Sequence, residues 1–436
     1  MSALIRVFFM LFSGIAMIAQ PAEASGAGQH DHPSATAAPA SHEHEYLKNL
    51  RDAEASVALA RQALSDSTVP SRAALSQLRQ KLADELGELS QQLAFVGDEP
   101  GSRAAFDEIE QLTNRPDPPG GDADEPYLAN IDSAIAVDAI DEIVEAARSR
   151  QIVILNEAHQ ATYDRAFAMQ LARRLRKIGF QYMACETFTP DDLSVLSGGY
   201  VSTTTGYYSS EPTFANFLTD ALGSGWKFVS YEAPKGHREF QMAQNVITRV
   251  LAKEPQARIF IYAGFSHASK LPVSETETDS SRFAGQLRRL TGIEPLTVDQ
   301  TVFYPDRESD RQQLYYRHAF ARQKGPLPFV LKTASGRNLQ LPGLDGGYDF
   351  EVVHPEYPMD RKTQRPSWLG MPMLGDRHPR PIPATLLPAS GRRLIYAYRL
   401  GSPYDAVPAD LVLVKAGGVP PQLMLPVGEF RFEYED

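Results

Sequence analysis

Short apolar runs alternate with longer amphipathic segments through the middle of the chain. In chain order these segments are residues 152–155, 163–178, 181–185, 213–222, 227–231, 240–252 and 259–263. The short runs predict buried strands, and the segments with apolar positions three and four apart predict helices. Because strands joined by helices form parallel sheets, the pattern predicts an α/β domain at residues 126–302, with a mainly parallel sheet flanked by helices.

The chain before this domain carries leucines at helical spacing. They repeat every three or four positions and are Leu75, Leu78, Leu82, Leu86, Leu89 and Leu93. Val69 and Pro70 precede this stripe and break the helical pattern, and Ser71 is a favourable N-cap for a second helix. We therefore predict a helical hairpin at residues 43–113, which serves for packing and could mediate an oligomer.

The helical pattern fades after residue 302, where Pro and Gly become frequent. The remaining apolar runs are residues 329–332, 350–353, 394–398, 411–414 and 430–434. Short runs separated by turn-forming residues are typical of strands. We expect a β-rich C-terminal region at residues 303–436, and the sequence there indicates no particular chemistry.

The N-terminus has the form of an export signal. Arg6 precedes an apolar run at residues 7–19, and Ala22-Glu23-Ala24 resembles a signal-peptidase site. We predict a signal peptide at residues 1–24, cleaved after Ala24, and a periplasmic or secreted protein. The run is shorter than the roughly 20 residues of a membrane-spanning helix, so we expect no transmembrane segment after cleavage.

A leader of low complexity is predicted at residues 25–42. It is rich in Ala, Pro, Gly and Ser, with His30 and His32 inside it and His42 and His44 at its end. Such a composition buries too little apolar surface to fold, so we expect disorder. The paired histidines could bind a transition metal weakly, but we favour the simpler interpretation of a solvated tether.

The net charge argues against two classes of partner, and the cysteine content rules out one kind of cross-link. The formal net charge is −11, and removal of Arg6 and Glu23 would leave it unchanged. Nucleic acids and anionic membranes select basic surfaces, so we expect a small-molecule or peptide substrate and no nucleic acid. Cys185 is the only cysteine, which rules out an internal disulfide.

Acidic or histidine residues follow four successive predicted strands. Glu157 and His159 come after the first, Glu186 after the second, Glu232 after the third and His267 after the fourth. The carboxyl ends of parallel strands share one edge of a sheet, where ligands bind, so these groups should converge. Two chemistries fit them: a divalent-metal site, or a metal-free acid/base site with carboxyl pKa values pushed apart. Any one of them alone could be an ordinary polar loop residue.

Two further features accompany this set. Arg238 begins the helix after Glu232 and could orient a carboxylate or stabilise an oxyanion, or it could simply pair with Glu232 or Glu239. Tyr207 and Tyr208 lie in a loop of small polar residues and could form a lid, a ligand-stacking wall or a plain surface loop. Strand alternation turns Cys185 away from Glu186, which disfavours a thiol nucleophile.

Four motifs in the central region resemble a known superfamily. They are Val153-Ile154-Leu155-Asn156-Glu157-Ala158-His159, Cys185-Glu186, Arg238-Glu239 followed by Met242, Ala243 and Asn245, and Gly264-Phe265-Ser266-His267. Residues 131–301 thus resemble the superfamily that joins erythromycin esterases, ChaN-type haem-binding proteins and the Tiki/TraB metalloproteases. Asn156 stands where a Gly is usual, and Glu157 and His159 are two apart, as in the haem-binding and Tiki branches rather than the esterases.

The resemblance implies roles for individual residues. Glu157 and His159 match the first motif, Glu186 the second acidic motif, Arg238 the helix-borne basic motif and His267 the closing histidine. These five would be catalytic, and Glu157, His159, Glu186 and His267 would hold a divalent metal such as zinc or manganese.

Three functions follow from these patterns. The leading hypothesis is a hydrolase of ester or amide bonds, metal-assisted or acid/base, with Glu157 or His159 as the base and Glu186 and His267 as ligands or orienting groups. The alternative is a haem or iron uptake protein with His267, Tyr207 or Tyr208 at the cofactor. A third interpretation is an interaction module that binds partners through the helical hairpin.

Overall fold

The fold is known from a computed structural model. It describes residues 45–66, 71–113, 124–188, 193, 196, 198–233, 237–272, 281–305, 311–323, 325–341, 344 and 346–436. The predicted signal peptide and leader lie outside these residues, as do His30, His32, His42 and His44.

An eight-stranded sheet forms the centre of the protein. Its strands are β1 (Ile135–Asp138), β2 (Ile152–Glu157), β3 (Tyr182–Cys185), β4 (Lys227–Val229), β5 (Ile259–Gly264), β6 (Leu296–Asp299), β7 (Phe329–Lys332) and β8 (Phe350–Val353). They are ordered β1-β7-β8-β6-β2-β5-β3-β4, and the six from β8 to β4 are parallel. The predicted mainly parallel sheet is confirmed.

Strands β7 and β8 come from beyond residue 302 and nevertheless join this sheet. β8 pairs in parallel with β6, while β7 runs antiparallel to β8 and to β1. The sheet therefore extends past the boundary expected at residue 302. A run of four apolar residues marks a strand without identifying its neighbour, which is why the sequence pattern did not assign these two strands to the central sheet.

Helices cover both faces of the sheet. They are α4 (Glu125–Ser133), α5 (Ala139–Ala147), α6 (Thr162–Lys177), α7 (Pro212–Gly223), α8 (Arg238–Val246), α9 (Phe283–Thr291) and α10 (Arg311–Phe320). Within β2, Val153 and Leu155 join one apolar cluster, and Ile152 and Ile154 join the other. The continuous apolar run of β2 follows from this burial on both faces.

The described residues between 45 and 113 form three helices, where the sequence pattern predicted a hairpin of two. They are α1 (Tyr46–Ser65), α2 (Arg72–Phe95) and α3 (Glu99–Thr113). Ser71 caps α2 as expected, since its hydroxyl accepts a hydrogen bond from the Ala74 amide at 3.3 Å. Leu82 and Leu86 of the leucine stripe are buried against α1 and α3, so this part of the stripe is packed within the molecule.

The C-terminal region is rich in antiparallel strands, as predicted. Its strands are β9 (Arg377–Arg380), β10 (Arg392–Arg399), β11 (Asp410–Lys415), β12 (Leu423–Pro426) and β13 (Phe430–Glu435), in sheets ordered β11-β10-β13 and β12-β9. Tyr46 and Leu47 of α1 pack on β10 and β11. In the described part of the chain, no helix combines the length and apolarity needed to cross a membrane.

Candidate functional site

The carboxyl-terminal edge of the central sheet, called the rim below, gathers the predicted polar residues. Strand β5 lies between β2 and β3, with Glu157 in register with Gly264 and Cys185 in register with Tyr262. Glu157 ends β2, and Glu186 follows β3 directly. Strand β5 thus brings the chain back to the rim, so that His267 lies beside Glu186, which comes from much earlier in the chain.

Glu157 and His159 form a buried carboxylate–imidazole pair. Oε1 of Glu157 lies 2.8 Å from Nδ1 of His159. Arg165, which is completely buried, donates to Oε2 of Glu157 at 2.9 Å and to the His159 carbonyl at 3.0 Å. Burial would raise the pKa of Glu157, but the charge of Arg165 and the hydrogen bond with His159 lower it to about 2. Glu157 is therefore an ionised orienting group.

Two aromatic rings enclose the His159 imidazole. Tyr208 stacks on it with ring centroids 3.8 Å apart, and Phe265 meets it edge-on at 5.1 Å. Phe265 has φ 41°, a left-handed conformation that is uncommon for an aromatic residue and is often found at functional sites. The rings leave His159 little freedom to rotate.

Glu186 lies between the two histidines. Its Oε1 is 3.9 Å from Nε2 of His159 and 3.9 Å from Nε2 of His267, and it accepts a hydrogen bond from Arg238 at 3.0 Å. Its Oε2 accepts from the Gly264 amide. Burial would raise the pKa of Glu186, whereas the imidazoles of His267 and His159, when protonated, and the Arg238 guanidinium lower it to about 2. Glu186 is thus a carboxylate shared by both imidazoles.

Gly264 allows this close approach. A Cβ at this position would lie 2.5 Å from Cε1 and Nε2 of His159 and 3.0 Å from Oε2 of Glu186. Real Cβ atoms do not approach other heavy atoms so closely, so any side chain here would displace the imidazole.

Arg238 and Glu239, the first two residues of α8, hold His267. Nη1 of Arg238 lies 2.9 Å from Nε2 of His267, and Glu239 lies 2.8 Å from its Nδ1. Burial would lower the pKa of His267, but the charge of Glu186 and the hydrogen bond with Glu239 raise it. Because a guanidinium only donates hydrogen bonds, Nε2 accepts from Arg238 only while His267 is neutral, and protonation of His267 would break this bond.

Glu232 completes the network from the end of β4. It accepts from Nε of Arg238 at 2.9 Å and from Nη2 at 2.6 Å. Burial would lower the pKa of Arg238, but Glu186 and Glu232 raise it, so its charge is permanent. Arg238 therefore pairs with Glu232 and contacts Glu186 at the same time. All five predicted catalytic residues therefore belong to one connected network.

The metal expectation can be compared with this geometry. Two imidazole nitrogens and a carboxylate are suitable donor types, and ligands about 2.0–2.2 Å from a tetrahedral metal lie about 3.3 Å apart. However, the Arg238 guanidinium lies against Nε2 of His267 and Oε1 of Glu186, and both oxygens of Glu157 bind Arg165 and His159. A permanent cation at two of the donors repels a metal ion, so the donors as they lie do not fit a metal.

The residues predicted to bind haem already have hydrogen-bond or stacking partners within the protein. The Tyr207 hydroxyl donates a hydrogen bond to Glu88 at 2.9 Å and accepts one from Nε2 of Gln92 at 3.2 Å, while the Tyr208 ring stacks on His159. Burial raises the pKa of Tyr208 well above its ordinary value, which opposes a phenolate ligand. Both ring nitrogens of His267 are hydrogen-bonded, so these three groups do not fit an axial ligand without rearrangement.

The N-terminal helices close one side of the site. Gln91 of α2 donates to the His159 carbonyl at 3.2 Å, and Phe106 of α3 stacks on Phe265. A cavity of about 40 Å³ remains between α2, His159 and Tyr208. This is far below the roughly 300–1,000 Å³ of typical ligand sites, so a large ligand there would have to displace α2.

Three residues that act on the site were not predicted as site residues. Arg165 lies within an amphipathic helix, where periodicity marks only apolar positions as buried. Gly264 was noted only as the first residue of the Gly264-Phe265-Ser266-His267 motif, and Glu239 was considered only as a partner for Arg238. Cys185 lies in an apolar cluster with Val153, and burial raises its pKa, as expected of an inert thiol.

Comparison with known proteins adds little to this description. No protein-family model and no curated protein matches the chain. A solved structure described as "Crystal structure of bacterial protein toxins" is 14% identical, with a TM-score of 0.30, over 58% of this chain and 56% of that one. Another, described as "Bacterial protein toxins", is 14% identical, with a TM-score of 0.29, over 61% and 57%.

The matched region thus spans less than two thirds of either structure, and at these TM-scores the likeness carries no argument about function. The resemblance to the esterase, haem-binding and Tiki superfamily stays a prediction from the motifs.

Proposed function

We propose that the protein is a hydrolase of ester or amide bonds that works by acid/base chemistry at the rim. The observation that carries this proposal is the orientation of His159. Its Nδ1 is held by Glu157 at 2.8 Å, and its Nε2 faces Glu186 Oε1 at 3.9 Å. A carboxylate on Nδ1 fixes the tautomer in which Nε2 has a free lone pair, which is the form of a general base.

The distance between Nε2 of His159 and Oε1 of Glu186 suits a bridging water molecule. Atoms 3.9 Å apart can both lie about 2.8 Å from one water oxygen, a normal hydrogen-bond distance. That water would donate one hydrogen to Nε2 of His159 and the other to Oε1 of Glu186. Both acceptors would then orient its lone pair toward a substrate carbonyl.

The proposed reaction has two steps. His159 Nε2 takes a proton as the water oxygen bonds to the carbonyl carbon, and the carbonyl π electrons move to its oxygen. The tetrahedral intermediate then expels the alcohol or amine, which takes the proton from His159. Glu157 stabilises the transient imidazolium, and Arg165 keeps Glu157 ionised.

Arg238 is suited to stabilise the developing oxyanion. Of its five N–H bonds, one on Nε, two on Nη2 and one on Nη1 are used by Glu232, Glu186 and His267. The remaining Nη1 hydrogen has no partner in the part of the chain that the structure describes. Its side chain is 33% exposed, so a substrate can reach it, and a pre-oriented donor of this kind lowers the barrier for acyl transfer.

A panel of chromogenic esters, amides and short peptides tests the proposal. We expect wild type to hydrolyse at least one compound, and Glu157→Gln to lower kcat by about 10²- to 10⁴-fold. His378→Ala is the matched control, because His378 is an exposed histidine that pairs with the exposed Asp376, and it should keep wild-type rates. Absence of turnover on the whole panel, or equal rates for wild type and Glu157→Gln, would overturn the proposal.

A further inference from the structure

Glu239 makes a second carboxylate–imidazole pair on the opposite side of Glu186. Its Oε1 and Oε2 lie 2.8 Å and 3.0 Å from Nδ1 of His267. Its side chain is only 21% exposed, and Nη1 of Arg282 lies 3.7 Å from its Oε1. The arrangement repeats that of Glu157 and His159, with a carboxylate on Nδ1 and with Nε2 facing Glu186.

The two pairs differ at Nε2. Both Nε2 atoms lie 3.9 Å from Oε1 of Glu186, but Nε2 of His267 also lies 2.9 Å from Nη1 of Arg238. Since the guanidinium can only donate, Nε2 must present a lone pair, and the ring hydrogen must be on Nδ1. A carboxylate is the acceptor that such a hydrogen requires, and Glu239 supplies it.

We propose that Glu239 is a positioning residue that fixes His267 in the Nδ1–H tautomer, so that Nε2 holds Nη1 of Arg238 and aims the guanidinium into the site. In its catalytic consequence, this inference rests on the proposed function.

His267 and Glu232 orient the Arg238 guanidinium in different ways. Glu232 holds the edge of the guanidinium formed by Nε and Nη2, which sets its plane. His267 takes one Nη1 hydrogen and leaves the other for the substrate oxygen. If the tautomer reversed, an Nε2–H would face an Nη1–H, and Arg238 would have to move.

Substitution of Glu239 separates this role from simple packing. In Glu239→Gln the side-chain amide can donate to Nδ1, which permits the reversed tautomer, whereas Glu239→Asp keeps a carboxylate acceptor. We expect Glu239→Gln to lower kcat at least about tenfold with a smaller change in KM, and Glu239→Asp to recover part of the loss. Glu254→Gln, which changes an exposed carboxylate bound to Tyr182, is the control and should match wild type.

Imidazole ¹⁵N NMR reads the tautomer without any substrate. The spectra are recorded on the full chain in neutral to mildly alkaline buffer, and His267→Ala assigns the resonances. The inference predicts a protonated Nδ1 and an unprotonated Nε2 in wild type, with a changed pattern in Glu239→Gln. It is overturned if wild-type His267 carries a hydrogen on Nε2, as the other tautomer or as the imidazolium, or if Glu239→Gln leaves both the spectrum and kcat unchanged.

The two proposals can fail separately. If wild type hydrolyses nothing, the proposed function fails, while the NMR result still decides the tautomer. If turnover is present but His267 has the other tautomer, only the role of Glu239 is overturned.

Discussion

Nε of Arg165 donates to Oε2 of Glu157 across 2.9 Å, in a place where the arginine has no exposed side-chain surface. The same guanidinium reaches Glu211, the N-cap of α7, at 3.1 Å. One buried cation therefore connects the base-orienting carboxylate to the start of a neighbouring helix. This buried ion-pair network supports the site from within the protein, where the substrate would not contact it.

Removal of the buried cation should destabilise the whole domain. Arg165→Met would leave Glu157 and Glu211 buried without their shared partner, and breaking a buried pair from one side costs about 3–5 kcal/mol. Urea unfolding monitored by circular dichroism measures this loss. Arg174→Ala, which breaks an exposed pair with Asp141, should change the free energy of unfolding by no more than about 0.5 kcal/mol. A similarly small loss for Arg165→Met would contradict the structural role of Arg165.

Gly264→Ala should impair turnover more than folding. The new methyl group would lie 2.5 Å from the His159 ring and would push it away from Glu186, and a misplacement of about 1 Å can cost about 10²-fold in rate. Gly223→Ala is the control, because a Cβ there meets nothing within 4 Å. Steady-state kinetics and thermal unfolding of both variants make the comparison. Wild-type kcat in Gly264→Ala would show that the position of the His159 ring does not matter.

Ionisation of Glu186 should stabilise the fold above acidic pH. Its pKa is lowered to about 2 from 4.5, so between these values the unfolded chain binds more protons than the folded one. The stabilisation is therefore fully present above about pH 4.5 and is lost as pH falls toward 2. The advantage of wild type over Glu186→Gln, on the order of 1–3 kcal/mol near pH 6, should shrink as urea unfolding is repeated down to about pH 3. A difference that stays constant with pH would contradict the lowered pKa.

Asp164 should behave in the opposite way. Burial raises its pKa well above 3.8, and its Oδ1 has no hydrogen-bond partner among the described residues, although Nε2 of His354 lies 3.5 Å away. A folded-state pKa above the unfolded value means that stability is lost as pH rises. Asp164→Asn avoids that loss, so its Tm should exceed that of wild type by more at about pH 8 than at about pH 4. A Tm difference that narrows at higher pH would reject this assignment.

The rim could be predicted because two simple regularities coincide. Apolar runs identified the strands that end before Glu157, Glu186 and His267, and parallel packing brings such ends together. The sequence did not specify that β5 inserts between β2 and β3. This insertion places His267 next to Glu186, and it depends on long-range strand pairing that local periodicity does not contain.

The buried charged residues that support the site could not be predicted from the hydrophobic pattern of the sequence. Arg165 and Asp164 lie in α6 as fully buried charged residues, whereas a hydrophobic pattern assigns charged positions to the solvent face. Glu239 could be recognised as a partner of Arg238, but its bond to His267 needs the return of the chain after β5. Buried charge is fixed by its tertiary partners, so the structure is needed to find it.

The most direct test of the account is chemical rescue of His159→Ala by free imidazole. If His159 is the base, the variant should lose about 10²- to 10⁴-fold in kcat on the best substrate of the panel, and added imidazole should restore part of the rate. Wild-type turnover in His159→Ala would contradict the central claim, because proton transfer at the rim would then not depend on this imidazole.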